Sequence, residues 1–518
     1  MDGKTSKVKF EKEIEDYDAR KRRALSMGGE EKLAKRRADG HLNARERLDY
    51  LLDENSFLES GLFNTSMLPQ DRDRTPADGK VAGFGKIDSR LAAVISNDFT
   101  VKGASSSPVN SNKMEHIKNV AARNGFPVVF LGESTGARMP DIMGAKNIIG
   151  LNNNPHQYIR LRTNPWASAV LGYCFGSATW YAAMADFTVI RKGACLAVSS
   201  PRLISLATKE KVDFEELGGW RLHTETTGLA DLAVDSDEEA LDAIRTYLSY
   251  LPGHANEAPP RVPVPPGSED GVKNILEIIP ESKNQVYDVR KVIRQVVDKD
   301  SFFEMKARFA KSLATGLARI DGRTVGIIAN NPYFKGGTIG ADACDKAISM
   351  LVQCDSYNVP LVFLVDQPGF LIGVEAERRG MPGRIMNWLN ALALCTVPKF
   401  SVVMRKSYGL AVRNMGGSNN ADEMAAWWSA EVSFMDPRSA VSVVHGVSPE
   451  ENPEAYATGL EEMTRDTSAY DLGSMNGARA VIDPRETRTY LKKMLEIYEG
   501  RPSNGIGLHH LRNWPTGY

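Results

Sequence analysis

GFGKIDSRLAAVISND, from Gly83 to Asp98, reappears as GLARIDGRTVGIIANN, from Gly316 to Asn331, an offset of 316 − 83 = 233. The same offset carries FPVVFLGESTG, starting at Phe126, onto VPLVFLVDQPG, starting at Val359. It also sets Pro165 against Pro398 and Gly176 against Gly409. Upstream, LLDENSFLE near Leu51 returns as VVDKDSFFE near Val296. Self-similarity at a fixed spacing settles architecture before any single element is assigned, and here it reads as a duplicated domain. Within each copy, short runs apolar on both faces (AAVISND, PVVFL, ASAVLGY; then VGIIANN, PLVFLVD, FSVVMRK) alternate with helical stretches. That is the pattern of parallel strands in a layered α/β fold.

The copies are joined by LPGHANEAPPRVPVPPGSED, Leu251 to Asp270, too rich in proline for a helix or central strand. The sequence therefore predicts an N-terminal domain over 1–250, a proline-rich linker over 251–274 and a C-terminal domain over 275–518. A chain of 518 residues also exceeds the size at which one core usually stops growing. Residues 8 to 55 are dense in charge with sparse apolar positions. They read as amphipathic helices, either a solvated lead-in or a surface for a partner subunit.

Composition excludes several classes of function. With 42% hydrophobic residues, 25% charged residues and a net charge of −1, no excess of basic charge asks for nucleic acid. The five cysteines, Cys174, Cys195, Cys344, Cys354 and Cys395, form no C-x-x-C pair and read as reduced, mostly buried thiols, with no metal expected in the chain. The start, MDGKTSKVKFEKEIEDYDARKRRALS, lacks the apolar core of a signal peptide, and no stretch is apolar for long enough to span a bilayer. A cytoplasmic setting is expected.

Two blocks carry the chemistry: WASAVLGYCFGSATWYAAMADF from Trp166 and FSVVMRKSYGLAVRNMGGSNNAD from Phe400. Each runs from strand through a glycine turn into a helix, where the first backbone N–H groups lack intrahelical partners and can hold an oxyanion. Gly176 and Ser177 begin one helix, Leu410 and Ala411 the other. Taken singly, such turns are ordinary in α/β folds; duplicated, they suggest a reaction with two oxyanions to stabilise. Moving a carboxyl group between biotin and the α-carbon of a thioester has that requirement, with charge on the thioester oxygen and on the ureido oxygen. There is no G-x-S-x-G elbow, H-E-x-x-H, P-loop or G-x-G-x-x-G after a strand, and no histidine pair at ligand spacing.

GHLNARERLDYLLDENSF, ESTGARM, GYCFGSATW, EELGGWRLHTETTGLAD, VDQPGFLIG, TVPKFSVVMRKSYG and WWSAEVSFMDP together resemble the carboxyltransferase β subunits of propionyl-CoA and related biotin-dependent acyl-CoA carboxylases, over nearly the whole chain. The resemblance implies two tandem crotonase-like domains. It implies a hexamer, a trimer of dimers, with the active site at a dimer interface. Acyl-CoA would lie on the first domain of one subunit and biotin on the second domain of its partner. It also implies that CO2 moves from carboxybiotin on a separate carrier to the α-carbon of an acyl-CoA, with the carrier and the biotin carboxylase as other polypeptides, since neither an A-M-K-M-like site nor an ATP-binding segment is present.

Carried over by position, the resemblance gives Gly176 and Ser177 the thioester oxygen, and Leu410 and Ala411 the biotin carbonyl. Gly136, Ala137 and Arg138 line the CoA site, and Gly369, Phe370, Tyr408 and Gly409 lie beside biotin. Departures from the family pattern are informative. GYCFGSA stands where G-P-C-A-G-G-A is usual, so Ser177 replaces a glycine, and Tyr173 and Phe175 add bulk that narrows or reshapes the acyl pocket. YGLAVRNM stands where Y-G-G-A-Y-D-V-M is usual, placing Arg413 at an aspartate position that influences acyl choice. A guanidinium there suits an acyl group with a second acid or polar function; the alternative is an internal ion pair or a CoA phosphate contact. Arg138 is open to two readings, nucleotide phosphate or internal salt bridge. Glu133 and Asp366, equivalent across the repeat, are an acid–base pair or loop braces, the second being favoured. Trp427 and Trp428 read as core or subunit-contact residues. Three alternatives remain: the transferase of a biotin-dependent acyl-CoA decarboxylase, a biotin-independent crotonase-type enzyme, and a non-catalytic scaffold.

Overall fold

A computed structural model describes residues 9–150, 159–417, 419–500 and 505–515. The chain forms two compact units that divide after Leu248. Two short stretches of the first half, Arg160–Thr163 and Thr224–Leu232, group with the second unit. So does the proline-rich segment. It has no helix or strand between 251 and 270, and it is tied down by Val262 N–H to the Gly322 carbonyl (3.0 Å) and by Asn358 Nδ2 to the carbonyl of Ala255 (2.8 Å). Prolines remove backbone donors, so the segment is held by contacts of this kind rather than by a ladder.

The first unit is built on β1 (Leu58–Glu59), β2 (Lys80–Ile87), β3 (Arg90–Asn97), β4 (Val128–Ser134), β5 (Trp166–Phe175), β6 (Phe187–Arg191), β7 (Cys195–Ala197) and β8 (Leu232–Val234). The second repeats them as β9 (Phe303–Met305), β10 (Leu313–Ile320), β11 (Arg323–Asn330), β12 (Leu361–Gln367), β13 (Lys399–Tyr408), β14 (Glu423–Trp427), β15 (Glu431–Ser433) and β16 (Ala480–Ile482). Strand order is β1-β2-β3-β4-β5-β6-β8 with β7 on β5, and then β9-β10-β11-β12-β13-β14-β16 with β15 on β13. The two sheets have one topology.

The repeated sequence block is an antiparallel hairpin in both units, Ile87 opposite Arg90 and Ile320 opposite Arg323. Its turn residues, Asp88 and Ser89 in one and Asp321 and Gly322 in the other, all have positive φ, the geometry whose twist matches the strands. The remaining central pairings, β3–β4–β5–β6 and β11–β12–β13–β14, are parallel. Buried on both faces, these strands are filled by the valine, leucine, phenylalanine and alanine runs seen in the sequence.

Both sheets break register at the same place. Gly132 pairs with Val170 but Ser134 with Cys174, and Val365 pairs with Val403 but Gln367 with Ser407. The residues at the breaks are Glu133 and Asp366, 233 apart. An irregularity of this kind bends one strand away from its neighbour, and here it precedes the turn at the end of β5 and of β13.

A second shared device is a buried lysine. Lys113, on the helix Pro108–Asn124, donates to the carbonyls of Gly61, Ala77 and Lys80. Lys346, on the helix Ala341–Ser356 and again 233 residues on, donates to those of Lys306, Phe309 and Leu313. An ammonium carries three donors and no acceptor, so each lysine spends all three on backbone carbonyls, some of which, those of Gly61, Ala77 and Lys306, also accept a backbone N–H. The five cysteines are free and buried. Among the described residues no helix is long and apolar enough to cross a membrane, and no group of three or more His, Cys, Asp or Glu could hold a metal ion.

Candidate active site

Strand β5 ends at Phe175 in a turn made by Gly176, whose φ of 64° and ψ of −133° suit glycine. A Cβ on Gly176 would also stand 3.3 Å from the Cα of Gly136. The Gly176 N–H donates to the Val198 carbonyl at 3.2 Å, so this residue, expected to offer a free donor, supplies the turn instead. The amides that follow are those of Ser177 and Ala178, for which the described residues provide no acceptor; the Thr179 N–H turns back to the Gly176 carbonyl at 3.0 Å.

The second unit repeats the arrangement. Gly409, φ 66°, donates its N–H to the Ser433 carbonyl at 3.0 Å, and Val412 turns back to the Gly409 carbonyl at 3.3 Å. Between them lie Leu410, exposed, and Ala411, fully buried, whose N–H groups likewise meet no acceptor among the described residues. Applying the offset to Leu410 and Ala411 returns Ser177 and Ala178, so the structure shifts the first pair one residue along from the sequence expectation of Gly176 and Ser177.

Around the first turn, the backbone of 136–138 runs beside the segment before the helix Pro108–Asn124. Ser106 N–H donates to the Gly136 carbonyl and Arg138 N–H to the Ser106 carbonyl, both at 2.8 Å. Gly136 is buried and Ala137 exposed. The Arg138 side chain is buried, its guanidinium on Asp78 and on Ser105, with Asp141 3.7 Å away. The guanidinium closes an internal salt bridge, the second of its two readings, because an arginine taken out of water needs its charge matched.

Tyr173 and Phe175 project from one face of β5 and stack with Phe214, at 4.3 Å between Tyr173 and Phe214 and 6.1 Å between Tyr173 and Phe175; Phe99 meets Tyr173 edge-on. Phe175 is buried, whereas Tyr173 and Phe214 are exposed. Phe99 and Tyr173 line a cavity of ≈ 950 Å³ in the first unit, together with Lys32, Lys35, Arg36, Arg74 and Lys102 and with Asp39, Asp73 and Glu133. Its lining combines aromatic rings with more cations than carboxylates.

Glu133 accepts from Arg36 and, at 2.6 Å, from the fully buried Arg47, which reaches on to Asp237. Burial raises the Asp237 carboxyl, but His41, Arg47 and Arg191 hold it down at about 2. Asp366 accepts from Arg405 at 2.8 Å and from the Tyr287 hydroxyl at 3.0 Å. Both carboxylates are buried and committed, which makes them braces of the bulges they occupy.

In the second unit, Tyr408 is buried and its hydroxyl donates to Glu431, which also accepts from Lys283. Burial and the neighbouring carboxylate push the Tyr408 phenol far up. Tyr408, expected beside biotin, is the last residue of β13 and is buried. Gly369, φ 127°, and Phe370 flank the turn from β12, with Ile339 N–H on the Gly369 carbonyl at 3.1 Å; Phe370 bridges Ile339 as Ala137 bridges Ser106. Arg413, one turn past Leu410, is exposed and meets no carboxylate among the described residues. Trp427 is buried with its indole N–H on Thr487 (2.8 Å), while Trp428 is exposed.

Sequence reasoning missed Ala178, Ser106, Phe214 and Glu431. The offset alone would have found Ala178; the others depend on contacts between distant segments.

The chain matches the carboxyl transferase domain family over residues 35–510. It is 35% identical over 506 residues to the carboxyltransferase subunit of propionyl-CoA carboxylase from Haloferax mediterranei, covering 95% of this chain and 97% of that protein. It is 34% identical to the methylmalonyl-CoA carboxyltransferase 12S subunit of Propionibacterium freudenreichii, covering 91% of each. It is 31% identical to the α subunit of methylmalonyl-CoA decarboxylase from Propionigenium modestum, covering 95% and 96%. Among solved structures, the transcarboxylase 12S hexamer with methylmalonyl-coenzyme A and methylmalonic acid bound superposes with a TM-score of 0.89 at 33% identity, covering 95% of this chain and 97% of that one.

Proposed function

We propose, from the premise that this chain belongs to the carboxyl transferase family, that its two turns divide one reaction between them, one holding each developing negative charge. The chain is the carboxyltransferase component of a biotin-dependent acyl-CoA carboxylase, and its fold is two tandem crotonase-like units related by duplication. The observation that carries the division of labour is the equivalence of two open amide pairs, each set by the same glycine turn after the same register break.

In the first unit the amides of Ser177 and Ala178 donate to the thioester oxygen as the α-carbon becomes nucleophilic. Donors fixed in advance at the atom where charge develops are worth about 10²–10³ in rate each. The lysines and arginines lining the cavity suit the phosphates of CoA. Tyr173, also in its lining, suits the apolar part of the ester, and Gly136 and Ala137 line the approach. In the second unit the amides of Leu410 and Ala411 donate to the ureido carbonyl, with Gly369, Phe370 and Gly409 around it. The residues fit this group: a small turn with two unsatisfied N–H donors matches a neutral urea that gains negative charge on oxygen. Biotin, when bound on its carrier, supplies the CO2 that is exchanged. Neither unit needs a side-chain nucleophile.

Arg413, exposed beside the second turn, sets acyl preference toward esters with a carboxylate or other polar function. The chain assembles as a hexamer in which each site combines the first unit of one protomer with the second of its partner, and it works in the cytoplasm with a separate biotin carrier and biotin carboxylase. The same amides serve either direction of transfer, and a decarboxylase subunit is among the relatives; carboxylation is the direction proposed here. The test is a panel of acyl-CoA esters incubated with the purified chain and a carboxylated carrier. Formation of malonyl-type thioesters from at least one is expected. Failure to carboxylate or decarboxylate any member refutes the reading and favours a scaffold.

A further inference from the structure

The two turns share a backbone but not a hydroxyl. In the first unit the hydroxyl of Ser177 lies 2.8 Å from that of Ser106. At the equivalent positions of the second unit, 106 + 233 = 339 and 177 + 233 = 410, stand Ile339 and Leu410. The equivalence is structural as well as numerical, since Ser106 bridges Ala137 and Ile339 bridges Phe370, again 233 apart. The pair is therefore a feature that one unit has and its twin lacks.

We propose that the Ser177 hydroxyl is a third hydrogen-bond donor to the thioester oxygen, and that Ser106 is the positioning residue that aims it; this rests on the function proposed above. Ser106 is well fixed for that task. It is buried, its N–H is on the Gly136 carbonyl and its own carbonyl accepts from the Arg138 N–H. Ser177 is half-buried at the open end of the turn. A hydroxyl has one proton to give and two lone pairs to receive. When Ser106 gives its proton to Ser177 Oγ, the Ser177 proton is left to point elsewhere, and the group it finds is the anion held by the Ser177 and Ala178 amides. Receiving one hydrogen bond strengthens the one that Ser177 donates.

The asymmetry has a chemical sense. The thioester oxygen takes up charge as its α-proton leaves, the harder of the two charges to create; the ureido oxygen is already the more basic acceptor. An extra donor is useful on the first side; the second has Leu410 in that place, with no hydroxyl to give.

The experiment uses the full-length chain with methylmalonyl-CoA, malonyl-CoA and biotin methyl ester, following biotin-dependent decarboxylation, in the wild type and in Ser177→Ala, Ser177→Thr and Ser106→Ala. Ser177→Ala and Ser106→Ala are expected to lower kcat about ten- to a hundredfold, the range for a hydrogen bond to a charged oxygen, with KM within about twofold. Ser177→Thr, which keeps the hydroxyl, should recover most of the loss. Turnover of Ser177→Ala within twofold of wild type overturns the proposal, as does a rise in KM at constant kcat. A loss in Ser177→Ala that Ser106→Ala does not share overturns the positioning role. If the wild type turns over neither ester, the function reading itself fails, and this proposal with it.

Discussion

The two units differ at the turn far more in side chains than in backbone. Around the first turn stand Tyr173, Phe175, Cys195, Ser177 and Ser106; at the equivalent places around the second stand Lys406, Tyr408, Glu431, Leu410 and Ile339. The glycine, the two open amides, the neighbouring carbonyl that takes the glycine N–H and the register break are common to both. The difference teaches which part of the site is generic. Amides aimed by a turn stabilise any oxyanion, so duplication kept them; the ring of side chains decides what carries that oxyanion, so it diverged. The first carries the aromatic rings of Tyr173 and Phe175, and the second a buried Tyr408 on the half-buried Glu431 and Lys283.

The comparison breaks most directly at the amides. Leu410→Pro deletes one backbone donor and Ser177→Pro one backbone donor together with the Ser177 hydroxyl, at helix-start positions whose geometry proline tolerates. Each is expected to lower turnover about 10²–10³-fold, with the thermal midpoint little changed. A large loss in one variant and none in the other would end the idea of twin oxyanion sites, and steady-state kinetics with a biotinylated carrier decides it.

The lysine clamps sharpen the comparison in stability rather than rate. Lys113→Met takes the lysine donor from the Lys80 carbonyl and Lys346→Met from those of Phe309 and Leu313, whereas Gly61, Ala77 and Lys306 keep a backbone N–H. At about 1–3 kcal/mol for an unsatisfied group, each variant should lose about 1–3 kcal/mol or more. Calorimetry or a denaturant titration reads this. If only one variant were destabilised, the shared position would be incidental.

Arg413→Asp tests the divergent ring. It is expected to change the ratio of kcat/KM between a dicarboxylic and a simple acyl-CoA by about tenfold, the scale of one or two kcal/mol of discrimination. Identical ratios across the panel would remove Arg413 from substrate choice.

The smallest effect concerns the acid brace of the first unit. Asp237 is held at about 2, below the ordinary carboxyl value of about 3.9. Its folded pKa is depressed, so its contribution to stability is complete above about pH 4 and is lost as pH falls through 2. The stability gap between wild type and Asp237→Asn should therefore be constant above pH 4 and shrink from there toward pH 2. A gap independent of pH over that range would show that the ion pairs to Arg47 and Arg191 do not stabilise the carboxylate.

Much of this was legible in the chain. The offset of 233 is a property of residue order, and it fixed the duplication and the position of both glycine turns, because turn chemistry and apolar strand runs are local signals. That the repeated block is an antiparallel hairpin emerged only in the fold. What the chain could not show was where each donor goes. That Gly176 spends its N–H on Val198, that Arg138 is consumed by Asp78 and Tyr408 by Glu431, and that Ser106 meets Ser177 are outcomes of segments tens of residues apart being brought together. Residue identity states what a group can donate or accept. Whether it is still free to do so is decided only when packing has assigned the buried partners, since most buried polar groups in a folded chain are paired.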